Sequence, residues 1–360
     1  MTIPDDFRSW TEIDLSAIRH NLRVVRTHVG PEPGILAVVK ADAYGHGMVE
    51  VSTALAPDVE IFGVTHCTEA RQVAHLGRDV MLLSPSLASE RREVIERGWI
   101  ATVSSAEEAA EYAGGRVNFK VDTGMGRIGC WSGQAVEELR AIVQLPGVTL
   151  HSISTHLPVA DEDTAFTDAQ IDQFADLMKA FREIAPGAKI HTLNSAGILG
   201  FSAHAQDLVR PGLMLYGSAY PARYQSLLRP AMIWKTRVLL SRELGAGRGV
   251  SYGRTFITER ITRIATLAVG YADGFPRQAS NRNAQVLIGG QRCPVLGRVT
   301  MDQIVADVTH VPEVHPGDDA VLIGPQGHEE ILARELADWA GTISWDIFTG
   351  IGWRVKRVFV

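Results

Sequence analysis

Eight short apolar runs, at 34–40, 61–66, 80–84, 100–104, 116–122, 150–156, 189–194 and 208–216, alternate with amphipathic segments over the first two thirds of the chain. Continuous β-branched and aliphatic runs of this kind suit strands buried on both faces. The segments between them carry helix punctuation. Ser104-Ser-Ala-Glu107 reads as a capping box, and Thr68 to Leu76 closes on Gly77. Alternating strand and helix implies a parallel sheet, and eight repeats over roughly 200 residues fit a closed (β/α)8 barrel better than an open sheet. Asp14 to Leu22 predicts a capped helix outside that count.

Beyond about residue 230 the pattern changes. Segments rich in Val, Ile and Thr recur at close intervals, at 236–240, 262–269, 284–288 and 303–308, punctuated by Gly245-Ala-Gly247, Gly289-Gly290 and Pro316-Gly317. That texture predicts an antiparallel β domain, completed by one amphipathic helix at about 328–340 and a final strand from Arg354 to Val360. The expected division is a barrel over residues 10–230 and a mainly antiparallel β domain over 231–360, with residues 1–9 alongside the latter.

Composition narrows the partners. The 360-residue chain has 35 basic against 41 acidic side chains, a net of −6 without a long run of either sign, which argues against nucleic acid. Cys67, Cys130 and Cys293 are far apart and form no Cys-x-x-Cys pair, so a reducing compartment and no structural zinc are expected. His66, His191 and His204 also lack metal-ligand spacing, so no metal is expected. The first residues lack a basic start and an apolar core, and no stretch reaches the length of a membrane span. A cytoplasmic protein with no membrane partner is the expectation.

If the barrel reading holds, reactive groups belong at the C-terminal ends of its strands. Lys40 ends the first run, where a partly desolvated amine suits Schiff-base chemistry; a lysine snorkelling out of a strand end is the plainer alternative. Lys120-Val-Asp-Thr-Gly-Met-Gly-Arg127 ends the fifth, with glycines that let the backbone carry Arg127 back toward the mouth. His156 ends the sixth, Asn194-Ser195 the seventh, and Arg210-Pro-Gly212 lies in the eighth. Loops after strands seven and eight of such barrels often take a phosphate, which suits Ser195 and Gly212; Ser195 also reads as a simple helix cap. Arg210 needs an acceptor, either an unprotonated pyridine nitrogen or a carboxylate such as Asp207.

The segments Ala37 to Gly47, Lys120 to Arg127, Ser154 to His156, Asn194-Ser195, Val209 to Gly217, Val250 to Gly253, Gly270 to Gly274 and Gly297 to Gln303 together resemble the alanine racemase family, in order and over nearly the whole chain. The resemblance implies an amino-acid racemase that uses pyridoxal 5′-phosphate, with a barrel followed by a β domain, acting on L- and D-alanine as a homodimer with shared active sites. It implies that Lys40 holds the cofactor and acts as base on one face of the substrate. Tyr252, from the other subunit, acts on the opposite face; read alone, it is an ordinary turn tyrosine. A tyrosine in that role needs neighbours that favour its anion, and His156 and Arg210 are the candidates.

By the same resemblance Tyr44, His156, Asn194, Ser195, Arg210, Gly212 and Leu213 contact the cofactor. Arg127, Met301, Asp302 and Tyr271 serve the substrate, and Lys120 positions Arg127, with carbamylation a possible modification. Trp353 departs from the family, whose pattern often has a tyrosine there, which leaves substrate breadth open. The rival readings are a serine or broad-specificity amino-acid racemase and a non-catalytic pyridoxal phosphate carrier; Ser251-Tyr252-Gly favours the enzyme over the carrier.

Overall fold

The computed structural model describes residues 6–360, so the expectation for residues 1–5 lies outside it. The chain forms two compact units: Ile18–Ala43 with Met48–Arg229, and the residues up to Ala17 with Tyr44–Gly47 and Pro230–Val360.

In the first unit eight parallel strands follow one another around a ring: β1 (Gly34–Val38), β2 (Ile61–Val64), β3 (Asp79–Leu82), β4 (Ile100–Val103), β5 (Arg116–Asp122), β6 (Thr149–Ser154), β7 (Lys189–His191) and β8 (Leu208–Val209). The last pairs with the first, Leu208 opposite Gly34, and closes the barrel. Each apolar run holds one strand, because aliphatic side chains that face core on both sides leave no room for polar alternation. The eighth run is a correction. Its strand has two residues, because Pro211 has no N–H to continue the ladder and Leu213–Tyr216 winds into a 3-10 turn. The capping box also shifts by one residue. The Ser105 hydroxyl accepts from the Glu108 N–H at 3.1 Å, and the Glu108 carboxylate accepts from the Ser104 N–H at 2.7 Å.

The second unit is built on the long strand Met232–Leu244. Ser9–Ile13 lies antiparallel to its first half, Ile13 opposite Met232, and parallel to Lys356–Phe359 on the other side. Asp319–Gln326 flanks the long strand, with Gln285–Ile288 and Gln291–Pro294 beyond it; Thr262–Leu267 and Ile304–Asp307 extend the far end. Trp10 and Trp234 are fully buried, and the Trp234 indole N–H donates to Ser9 Oγ at 2.9 Å. The helix expected at 328–340 begins later, at Ala333, because Glu329–Ile331 pairs as a strand and Glu335 accepts from the Leu332 N–H at 3.2 Å to set the helix start. A second helix, Ser344–Gly350, was not foreseen.

Candidate active site

Lys40 follows β1 after one intervening residue, half-buried, and opens a turn of unusual hand. Ala41, Asp42, Ala43 and Tyr44 have φ of 53°, 54°, 53° and 55°, so the turn Lys40–Gly45 winds left-handed without a glycine until its end. Such residues cost roughly 1–2 kcal/mol each and persist only where their surroundings over-determine them. Here those surroundings are explicit. Glu69 accepts from the Ala41 N–H at 2.8 Å and the Thr65 N–H at 2.7 Å, Asp42 accepts from the Met48 N–H at 2.8 Å, and the Ala43 N–H donates to the Val39 carbonyl at 2.8 Å. Partial burial, helped by Arg127 and opposed by Glu69, pushes the Lys40 ammonium down from the usual lysine range.

The loop after β5 is pinned by its first residue. Asp122 accepts from the N–H groups of Gly124, Met125 and Gly126 at 2.8, 2.7 and 2.8 Å, which folds the chain tightly and delivers Arg127. Thr123 and Thr155 share a hydrogen bond of 2.7 Å beneath it. Burial, then Arg210 and Arg127, push the Lys120 ammonium well down. His156 is held neutral by burial and by four cations, Lys120, Arg210, Arg127 and Lys40. Five of the predicted groups therefore act on one another at the C-terminal end of the barrel.

Arg210 is 6% exposed, and its guanidinium donates to His191 Nδ1 at 2.8 Å and to the carbonyls of Thr155 and Thr192 at 2.7 and 2.9 Å. Burial lowers its pKa to about 10, still cationic at neutral pH. The carboxylate alternative fails: Asp207 pairs with Arg182 at 2.6 Å and accepts from the Ile190 N–H. Because His191 Nδ1 accepts, its Nε2 carries the proton, which it donates to Asn118 Oδ1 at 3.2 Å. Asn118 also accepts from Ser152 Oγ at 3.0 Å and donates to Thr102 Oγ1 at 3.2 Å, and Thr102 donates to the Leu82 carbonyl at 2.7 Å. A polar chain thus runs from the mouth into the barrel interior and fixes the guanidinium from below.

At the ends of β7 and β8, Asn194 caps the helix Ser195–Gly200 through the Gly197 N–H at 3.0 Å and donates to the Leu157 carbonyl at 2.9 Å. Ser195 Oγ accepts from the Gly212 N–H at 2.9 Å and, more weakly, from the Met214 N–H at 3.3 Å. Gly212 precedes the turn that Leu213 begins. These bonds draw the Ser195 hydroxyl, the Asn194 side chain and the backbone at Gly212 together at one end of the barrel.

The remaining predicted residues lie in the second unit. Tyr44 is buried, and its phenol is pushed up to about 12 by burial despite a hydrogen bond from Trp345. Tyr252 is 73% exposed, on a turn entered by Ser251 at φ 59° and anchored by Ser251 Oγ donating to the Arg298 carbonyl at 2.6 Å. Gly270 is obligatory, since a Cβ there would meet the Met301 carbonyl at 2.3 Å. The Tyr271 N–H donates to the Thr300 carbonyl at 3.0 Å, and Arg354 bridges Asp302 at 2.9 Å and Asp273 at 3.1 Å. Tyr271, Met301 and Trp353, the last 87% exposed, stand out from these laced loops.

Family models for the N-terminal and C-terminal domains of alanine racemase match residues 13–220 and 231–359. The chain belongs to the alanine racemase family. It is 39% identical to the alanine racemase of Methylacidiphilum infernorum over 99% of this chain and 94% of that one. The alanine racemase of Halothermothrix orenii is likewise 39% identical, over 98% and 96%. Among solved structures, the alanine racemase of D-cycloserine-producing Streptomyces lavendulae superposes with a TM-score of 0.90 at 34% identity, covering 100% of this chain and 98% of that one. That of Bartonella henselae, solved with covalently bound pyridoxal phosphate, gives 0.87 at 29% identity over 98% and 99%.

Sequence reasoning missed several residues of this racemase's barrel mouth. Glu69 lies in the amphipathic stretch Thr68 to Leu76, whose pattern gives no sign that its carboxylate reaches the Ala41 and Thr65 N–H groups. Asp122 carried a usable signal, an aspartate followed by two nearby glycines, which favours a side chain folding back on backbone N–H groups. His191 and Asn118 lie inside strands where no local pattern distinguishes a polar link from an accident.

Proposed function

We propose that this racemase interconverts L- and D-alanine as a cytoplasmic homodimer, with pyridoxal 5′-phosphate held in the barrel mouth. One observation carries the reading: His156 lies in the fields of both Lys40, a strand-end lysine whose own ammonium is pushed down, and Arg210, a cationic arginine whose hydrogen bonds go to an imidazole and two carbonyls. The donor set fits the cofactor. Ser195, Gly212 and Leu213 offer a hydroxyl and backbone for its phosphate beside Asn194, Lys40 offers an amine that loses its proton readily, and Arg210 offers N–H groups to a ring nitrogen. Bound there, the group supplies an aldehyde for the substrate amine and a conjugated ring that takes up electron density from Cα.

Inversion at Cα needs a proton removed on one face and returned on the other. Lys40, whose ammonium is pushed down, moves it on one face; Tyr252 of a second copy moves it on the other, which its exposure on its own unit supports. Neutral His156 is available to exchange a proton with that phenol. Arg210, a fixed cation, would disfavour protonation of a ring nitrogen held against it, and with that side reactions such as transamination. Arg127 holds the substrate carboxylate, joined by Met301, Asp302 and Tyr271 of the second copy. Lys120, its ammonium suppressed so that it presents a neutral amine, is open to carbamylation by carbon dioxide with loss of a proton, which would place an anion beside Arg127 and fix it. A cytoplasmic setting suits the three free, buried cysteines and the absence, among the described residues, of any helix long and apolar enough to cross a membrane.

The test is exchange. The purified protein, incubated with a panel of L-amino acids in deuterated water, exchanges Cα–H and forms the D-isomer with alanine well ahead of the rest. Faster exchange of serine, or none with any amino acid, refutes the assignment.

A further inference from the structure

The opposite end of the barrel carries a second, differently built cleft. The helix Leu15–Val29 places Arg19, Arg23 and Arg26 at spacings of four and three, hence on one stripe. Like charges so placed destabilise a helix by about 0.2–0.5 kcal/mol per pair, so the row is unfavourable unless something answers it. Arg78, just before β3, faces the same space. The cleft measures about 430 Å³, with buried Leu22 and Val59 as its floor and the exposed Pro57 at its edge.

Two carboxylates also line it, but they do not neutralise the row. Glu60 accepts from the Ile35 N–H and sits 3.5 Å from Arg26, which also donates to the Pro31 and Pro33 carbonyls. Among the described residues, no carboxylate comes within ion-pair distance of Arg19, Arg23 or Arg78. Three unclaimed guanidiniums therefore face the cleft against one unclaimed carboxylate, Asp58, in a chain whose net charge is −6.

We propose that this cleft binds a nucleoside di- or triphosphate. Guanidinium groups grip phosphate oxygens in pairs, and three of them from two elements suit a chain of phosphates better than a single one. Asp58 repels a bare polyanion but accepts hydrogen bonds from ribose hydroxyls, and the apolar floor and Pro57 offer contact to a base. The site is independent of the racemase chemistry, since every residue in it lies at the N-terminal end of the strands and Lys40 at the other.

The experiment is calorimetric titration of the full chain at fixed salt with ADP, pyrophosphate and adenosine. ADP binds saturably, one per chain; pyrophosphate binds at least tenfold more weakly and adenosine not measurably. Arg23→Gln and Arg78→Gln each weaken ADP binding by roughly tenfold, the loss of one charge-assisted contact. Both variants racemise alanine at the wild-type rate. Asp58→Ala narrows the gap between ADP and pyrophosphate. No saturable ADP binding, ADP binding undiminished in both arginine variants, or pyrophosphate binding as tight as ADP overturns the proposal.

Discussion

Replacing Ala41 with glycine should stabilise this protein, the reverse of what such a change does in an ordinary helix. Ala41 is exposed, so its methyl fills no cavity, and its N–H bond to Glu69 survives the change. What is removed is the clash of Cβ with the backbone at φ 53°, worth roughly 1–2 kcal/mol. Against it stands the extra freedom of glycine in the unfolded chain, about 0.5–1 kcal/mol. The balance is a gain of about 0.5–1 kcal/mol, read as a higher urea midpoint at unchanged slope. Ala175→Gly, in the middle of the right-handed helix Thr164–Ile184, is the control and should lose about 1 kcal/mol. A variant destabilised as much as the control would show that the left-handed turn is not strained.

Asp122→Ala leaves three backbone N–H groups without their acceptor; a loss of about 2–3 kcal/mol and a raised KM for alanine are expected, and a wild-type melting curve and KM would contradict the pinning role. Tyr252→Phe should slow proton transfer on one face only, seen as unequal substrate isotope effects for L- and D-alanine; equal effects in both directions would remove the two-base assignment. Acid should destabilise the fold through its buried and half-buried histidines. His151 has a folded pKa of about 4 and an unfolded one near 6.5, so the folded state binds fewer protons in between, and stability present above about pH 6.5 is lost as pH falls. That group alone accounts for about 3 kcal/mol by pH 4, with His156 and His191 acting in the same direction. Urea midpoints from pH 8 to 4.5 should slope accordingly, less steeply in His151→Gln, and a flat profile would refute the neutral burial of these rings.

The barrel was legible because β1 to β8 are buried on both faces, and that condition writes itself into sequence as unbroken apolar runs. Where a run continued past the ladder, as at 208–216, apolar content could not reveal that Pro211 ends the pairing. Lys40, Arg127, His156 and Arg210 were legible as long polar side chains at strand ends. The left-handed turn was not: Lys40-Ala-Asp-Ala-Tyr-Gly45 carries no residue before Gly45 that prefers positive φ, and its geometry is imposed by Glu69, distant in sequence. The helix Ser344–Gly350 was missed for a plainer reason: it is only seven residues long and has no side-chain cap hydrogen bond to announce it.

The links from Arg210 through His191 to Asn118, Ser152 and Thr102 also bear on how freely this enzyme can be altered. An engineer seeking heat resistance would be tempted to swap those interior polar groups for leucine and valine. In this molecule they double as the mounting of the Arg210 guanidinium, so under the proposed function a tougher interior and a working catalyst draw on the same few positions. Tolerance to substitution should therefore be poorest not only around the opening but along a thread descending beneath it.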